Sequence, residues 1–172
     1  MTFTTRKLAF LGLMFALMLI LAVVERMLPP FPMLPPQFGR IGLSNVIVMY
    51  VIFFVGKKEA FVIAVLKAAF NLLMRGFVAG LLSLAGGLLS VIVIVIFWWV
   101  FRNKISYISL SIAGAIGHNI GQLFVACIMM QNWRLFVFYL PALLITGAIF
   151  GTVTGIFLKI IMPIFNEMHR GW

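Results

Sequence analysis

Long apolar runs separated by short polar segments occupy most of this 172-residue chain. A transmembrane helix needs about 20 mainly apolar residues. Runs such as residues 91–96 lack the alternation of apolar and polar residues that a transmembrane β-strand requires. The pattern therefore predicts an all-α membrane protein with one domain of six transmembrane helices. The predicted spans are residues 8–24, 41–55, 60–74, 77–100, 105–130 and 135–162.

The composition agrees with a multi-pass membrane protein. Hydrophobic residues make up 65% of the chain and charged residues 9%, whereas about a quarter of a soluble domain is charged. The net charge of +10 would point to nucleic acid in a soluble protein, but here the basic residues lie at the ends of the apolar runs. We therefore expect membrane lipid as a partner and no nucleic acid. The lone Cys127 lies within an apolar run, so we expect no intrachain disulfide and no metal cluster. We also expect no cofactor.

Lysine and arginine counts predict the orientation. Cytoplasmic loops of membrane proteins carry an excess of these residues. One side of the predicted bundle carries eight of them: Arg6, Lys7, Lys57, Lys58, Arg102, Lys104, Lys159 and Arg170. The other side carries four: Arg26, Arg40, Arg75 and Arg134. The asymmetry predicts that both termini are cytoplasmic, and it leaves four outer arginines unexplained by topology.

A proline-rich stretch, residues 25–45, separates the first two spans. It holds five of the seven prolines, together with Glu25, Arg26 and Arg40. Proline has a fixed φ and no N–H, so the stretch cannot continue a helix. We expect a stiff, partly extended loop that forms the rim and lid of a ligand site. The alternative is that its arginines contact lipid headgroups.

A polar ladder runs along the predicted third span. Lys67, Asn71 and Arg75 follow the i, i+4, i+8 spacing of one helix face. An ionisable residue at the centre of a membrane costs about 2.5–3.5 kcal/mol on insertion scales and so usually faces a partner or a cavity. A salt bridge would satisfy the ladder, but Glu25 is the one acidic residue on that side. The excess of positive charge favours an anionic ligand.

Polar residues on two other predicted spans complete the candidate pocket. His118, Asn119 and Gln122 lie in the fifth span, and Asn45 follows the proline-rich stretch at the start of the second. The histidine set has a structural alternative as hydrogen-bond partners between helices, and Asn45 has one as a helix cap. All of these residues fall in the outer half of the membrane. Together they predict a pocket, open to the outside, for a small anion with an apolar or aromatic part.

Four stretches resemble the membrane S components of energy-coupling factor (ECF) transporters. They read R-K-L-A-x-x-G-x-x-x-A from Arg6, E-R-x-x-P-P from Glu25, G-R-I-G-L-S-N ending at Asn45, and G-H-N-I-G-Q around His118. The closest branch is the Gx transporter group, also labelled heptaprenyl diphosphate synthase component I. The resemblance extends over essentially the whole chain.

The resemblance implies a six-helix substrate-capture subunit in a bacterial cell membrane. Its outer site would be capped by the first loop, and its body would tilt to deliver substrate, driven by ATP hydrolysis in partner subunits. It also implies that small residues on the first helix dock on the transmembrane coupling protein of the ATPase module. Gly12 and Ala16 would fill that role, although the family form is Ala-x-x-x-Ala and Gly12 departs from it. Small residues four apart also serve ordinary helix packing.

Three functions compete at this point. The first is uptake of a small anionic vitamin-like or cofactor-like compound, with no catalytic activity in this chain. The second is a non-catalytic membrane subunit of a prenyl diphosphate synthase or an isoprenoid pathway. Prenyl synthases hold Mg²⁺ with carboxylates, and a chain without Asp cannot be that catalyst alone. The third is a lipid-handling enzyme with His118 as base, for which no acidic residue is placed to orient the histidine.

Overall fold

Six α-helices form the part of the protein that the structure, a computed structural model, describes: residues 5–27, 42–101 and 105–170, without the side chains of Arg6, Arg26 and residues 164–170. In chain order they are α1 (Thr5–Met27), α2 (Ser44–Phe54), α3 (Lys57–Arg75), α4 (Phe77–Phe101), α5 (Tyr107–Met129) and α6 (Arg134–Arg170). The all-α prediction and the order of six helices are confirmed.

Four of these helices are long and apolar enough to cross a membrane: Lys7–Glu25, Phe77–Phe101, Tyr107–Met129 and Arg134–Pro163. The described part of α2 has 11 residues, a rise of about 16 Å against a hydrocarbon core of about 30 Å. Helix α3 has 19 residues and is less apolar than these four helices, because five of its side chains are charged. Crossing by α2 and α3, and the side on which the termini lie, stay predictions.

Helix α2 lies at the centre of the bundle. Eight of its eleven residues are buried, and it packs against α1, α3, α4 and α6. The ring of Tyr50 is fully enclosed and stacks on Phe54 at a centroid distance of 4.9 Å. A helix that is apolar all round can be buried in a core or face lipid; α2, the shortest of the described helices, is mostly covered by its neighbours and forms part of the core.

Helices α3, α4, α5 and α6 pack in sequence order, each against the next. Gly114, Gly117 and Gly121 of α5 bring α4 and α5 close together. A Cβ at Gly121 would lie 2.6 Å from the Ala85 carbonyl oxygen, so the two backbones meet where that glycine is. Helix α6 continues beyond the predicted span to Arg170 and holds Pro141 and Pro163 within it.

The two ends of α1 are tied to different elements. At one end, Lys7 forms an ion pair with Glu59 in the first turn of α3. At the other end, the Glu25 carboxylate accepts a hydrogen bond from the backbone N–H of Gly42, just before α2. The Glu25 end of the bundle holds the cavity described next.

Candidate ligand-binding site

A cavity of about 320 Å³ opens among α1 to α5 at the Glu25 end of the bundle. This volume lies at the small end of the range for ligand pockets, about 300–1,000 Å³. Polar side chains from every one of these helices line it. They are Glu25, Ser44, Asn45, Lys67, Asn71, Arg75, Ser83, His118, Asn119 and Gln122.

Glu25 reaches the cavity because of a stripe on α1. Phe10, Met14 and Met18 are buried at four-residue intervals, and Ala22 and Glu25 continue this inward face to the cavity wall. Glu25 is itself buried. Its partner, the N–H of Gly42, belongs to a residue with φ of +78°, a conformation that glycine adopts without steric cost. The carboxylate therefore fastens the start of α2 to the end of α1.

Lys67 lies on the inward face of α3 and is buried. Its Nζ donates a hydrogen bond to Asn45 Oδ1 on α2, at 2.6 Å. The N-terminus of α2 has no side-chain capping hydrogen bond, so the alternative role of Asn45 as a helix cap is wrong. The amide instead orients an ammonium group that faces the cavity.

Asn71 and Arg75 continue the polar ladder toward the cavity mouth. Asn71 Nδ2 donates to Ser83 Oγ on α4 at 2.9 Å, a buried contact. Arg75 is exposed in the last turn of α3 and still lines the cavity. The face predicted from the i, i+4, i+8 spacing is therefore present and lines one wall. Ser83 therefore joins α4 to this face of α3.

His118 and Gln122 form the opposite wall, on α5. Both pack against Gly86 of α4, where a Cβ would lie 2.8 Å from His118 Cε1 and 2.8 Å from Gln122 Cγ. His118 Nδ1 is buried and makes no hydrogen bond with any described residue. Gly86 thus creates the space that both side chains occupy.

Asn119 has the interhelical role that sequence reasoning held as its alternative. Its Nδ2 donates to the Leu143 carbonyl of α6 at 3.0 Å, although the residue also lines the cavity. Ser111, on the same helix, is bonded to Thr154 of α6 at 2.8 Å and does not line the cavity. Only the half of α5 that contains His118 and Gln122 is directed at the site.

Positive charge exceeds negative charge on the described walls. Lys67 and Arg75 supply two cations, and Glu25 supplies one anion. The ion pair between Lys7 and Glu59 lies away from this site. Among the described residues, no three of His, Cys, Asp and Glu lie together in a way that would hold a metal. The arrangement can attract and orient an anion.

Eight of the ten residues predicted to bind ligand line this cavity. Arg40 lies outside the described residues, as does the side chain of Arg26. Gly12 and Ala16, predicted to dock on a coupling subunit, are exposed on the outer face of α1, and a Cβ at Gly12 would meet nothing within 4 Å. Sequence reasoning missed Gly86, because a glycine in an apolar helix gives no signal of what packs on it.

Comparison with known proteins gives two findings. The family model described as heptaprenyl diphosphate synthase component I matches residues 14–161. One solved structure, reported as "Structure and mechanism of the S component of a bacterial ECF transporter", has the same fold. It aligns with a TM-score of 0.56 and 21% identity over 96% of each chain. No curated protein matches the sequence.

Proposed function

Since the chain belongs to the heptaprenyl diphosphate synthase component I family and has the fold of an ECF transporter S component, we propose that it captures substrate for an ECF-type ATP-driven uptake transporter. The proposed substrate is a small anionic, vitamin-like or cofactor-like compound. In this proposal the chain binds and delivers the compound and catalyses no reaction itself.

The buried Lys67 ammonium carries this proposal. A buried charge is retained only where partners compensate for its lost hydration. The hydrogen bond recorded for Lys67 goes to an uncharged amide, and Arg75 adds a second cation to the same cavity. An anion bound between the walls would balance the excess of two cations, Lys67 and Arg75, over the one carboxylate, Glu25, on the described lining, and charge-assisted hydrogen bonds to it would be strong.

Closure of the site is proposed for the proline-rich stretch, residues 25–45. Its two described ends meet, because Glu25 accepts a hydrogen bond from Gly42. Both residues line the cavity, so the two described ends of the stretch lie at the site. We propose Arg26 and Arg40, within this stretch, as ligand contacts; Arg40 and the side chain of Arg26 lie outside the described part of the protein.

The outer face of α1 is the proposed docking surface for the transmembrane coupling protein and its ATPase subunits, in a bacterial cell membrane. Gly12 and Ala16 are exposed there and leave the helix backbone accessible. A partner helix approaches most closely where small residues recur four apart.

A second candidate, a non-catalytic membrane subunit of a prenyl diphosphate synthase, is favoured by the description of the matched family. Charged side chains of Glu25, Lys67 and Arg75 line the cavity, and a purely apolar prenyl chain would exclude water from them, which is unfavourable for charged groups. This second function is therefore proposed to rest on protein contacts and not on the cavity.

Mass spectrometry of compounds retained through purification tests the two functions. The uptake proposal predicts a small retained anion that raises the melting temperature, and predicts that Lys67→Ala with Arg75→Ala loses both the compound and the stabilisation. Lys57→Ala, at the other end of α3, is the control and should retain them. Co-purification with a soluble synthase, with no bound anion, would instead support the second candidate.

A further inference from the structure

His118 and Lys67 face one cavity from opposite sides of α4. Lys67 belongs to α3 and His118 to α5, and α4 packs against both helices. One wall therefore presents an ammonium group, and the other presents an imidazole and the Gln122 amide. A ligand that reaches both walls can therefore be bound by its charge at one and by a neutral polar group at the other.

The orientation of the imidazole shows which atom a ligand can reach. Its Nδ1 and Cε1 lie against Gly86, and Nδ1 is buried without a hydrogen-bond partner among the described residues. His118 is nevertheless partly exposed and lines the cavity. Since Nδ1 is buried against Gly86, Nε2 is the ring nitrogen left to face a ligand.

We infer that the site selects an anion that also carries a hydroxyl, amino or amide group, which bonds to His118 Nε2 while the anionic group lies toward Lys67 and Arg75. This inference rests on the proposed function and narrows its substrate class. A neutral imidazole has one donor and one acceptor nitrogen, so a hydroxyl group matches either tautomer. A purely hydrocarbon tail would leave Nε2 and the Gln122 amide without partners when it displaced water from them, which is unfavourable.

The size of the cavity agrees with a ligand that spans both walls. The volume is about 320 Å³, so a compact ring or short chain can touch α3 and α5 together. Asn119 does not compete for the same group, because its amide nitrogen is directed at the Leu143 carbonyl. His118 and Gln122 are the polar groups of α5 that remain for the ligand.

Two phosphate esters that differ by one hydroxyl test this inference. Binding of phenyl phosphate and 4-hydroxyphenyl phosphate is measured by calorimetry on the purified full chain. One added hydrogen bond predicts that the hydroxylated ester binds about 3- to 10-fold more tightly. His118→Phe should remove this preference and retain binding of both esters, and His118→Gln should restore part of it. Ile128→Phe, on the exposed side of α5, is the control and should keep the full preference.

The outcomes separate this inference from the proposed function. A merely structural histidine would change the melting temperature without changing the ratio of the two affinities. If the unaltered protein binds the two esters equally, this inference is overturned. If Lys67→Met then abolishes the binding of both esters, the proposed anion site still stands. Binding of neither ester at millimolar concentration would overturn the proposed anion site, and the inference with it. If His118→Phe does not fold, His118→Leu removes the same nitrogens with a smaller side chain.

Discussion

Lys67 on α3 donates a 2.6 Å hydrogen bond to the Asn45 side chain on α2, so the buried cation of the site is held by an uncharged partner. Because the Asn45 amide is neutral, this hydrogen bond does not cancel the positive charge of Lys67. Introducing a charge at position 45 should therefore change both the stability of the protein and its affinity for an anion.

Replacing Asn45 should separate stability from affinity. Asn45→Asp places a carboxylate beside the ammonium, so we expect a higher melting temperature of the empty protein and an anion affinity at least about tenfold weaker, since the ligand's charge is no longer needed. Asn45→Leu removes the hydrogen bond and should lower the free energy of unfolding by about 1–3 kcal/mol. Thermal melting and calorimetry with inorganic phosphate measure the two effects. Tighter phosphate binding by Asn45→Asp would contradict the role assigned to Lys67.

Neighbouring glycines on α4 provide a matched pair of substitutions. Gly86→Ala would place a Cβ 2.8 Å from both His118 and Gln122, whereas Gly87→Ala would meet the Ala64 Cβ at an ordinary 3.5 Å. We expect Gly86→Ala to destabilise the fold by about 1–3 kcal/mol and to weaken ligand binding by displacing both side chains. Gly87→Ala should be neutral or stabilising, because alanine is the better helix former by about 1 kcal/mol. Equal melting temperatures and affinities for the two variants would show that Gly86 does not set the position of that wall.

Substitutions on the exposed face of α1, which contains Gly12 and Ala16, should affect assembly and not folding. A Cβ at Gly12 meets nothing within 4 Å, so Gly12→Leu and Ala16→Leu should leave the melting temperature of the isolated chain unchanged. Both should abolish co-purification with a co-expressed ECF coupling protein and its ATPases, because a bulky side chain keeps the partner helix away. Val23→Leu, at another exposed position of α1, is the control. A complex recovered in full yield with Gly12→Leu would rule out this docking surface.

The Lys7–Glu59 ion pair predicts an acid-dependent loss of stability. The hydrogen bond from Lys7 is the main reason that the pKa of Glu59 lies below its usual value. A carboxyl group with a lower pKa in the folded state stabilises the fold above its unfolded pKa, about 4.3 for Glu. This contribution is lost as the pH falls through the folded-state pKa. Glu59→Gln should therefore lower the free energy of unfolding at pH 7 by roughly 1 kcal/mol, which is measured as a lower melting temperature. The substitution should have little effect at strongly acidic pH. The same difference between the two proteins at both pH values would contradict this assignment.

The wall formed by α3 was predictable because it depends on one helix alone. Lys67, Asn71 and Arg75 share a face through the geometry of the α-helix, and the structure places all three at the cavity. The alternative considered for Asn45 was a local helix cap, but Asn45 bonds to α3, as does Ser83. Their partners are 22 and 12 residues away in sequence, beyond what helical spacing can reveal.

The amino-acid sequence by itself determined that this chain is a bundle of apolar helices and that its cations are gathered on particular helix faces, because hydropathy and the periodicity of a helix are local properties. Only the tertiary structure decided that Gly86 admits His118 and Gln122 to the cavity, that Asn119 bonds to α6 and that Lys7 pairs with Glu59. These contacts depend on the rotation and separation of helices that meet in space, which are set by the packing of all six helices together.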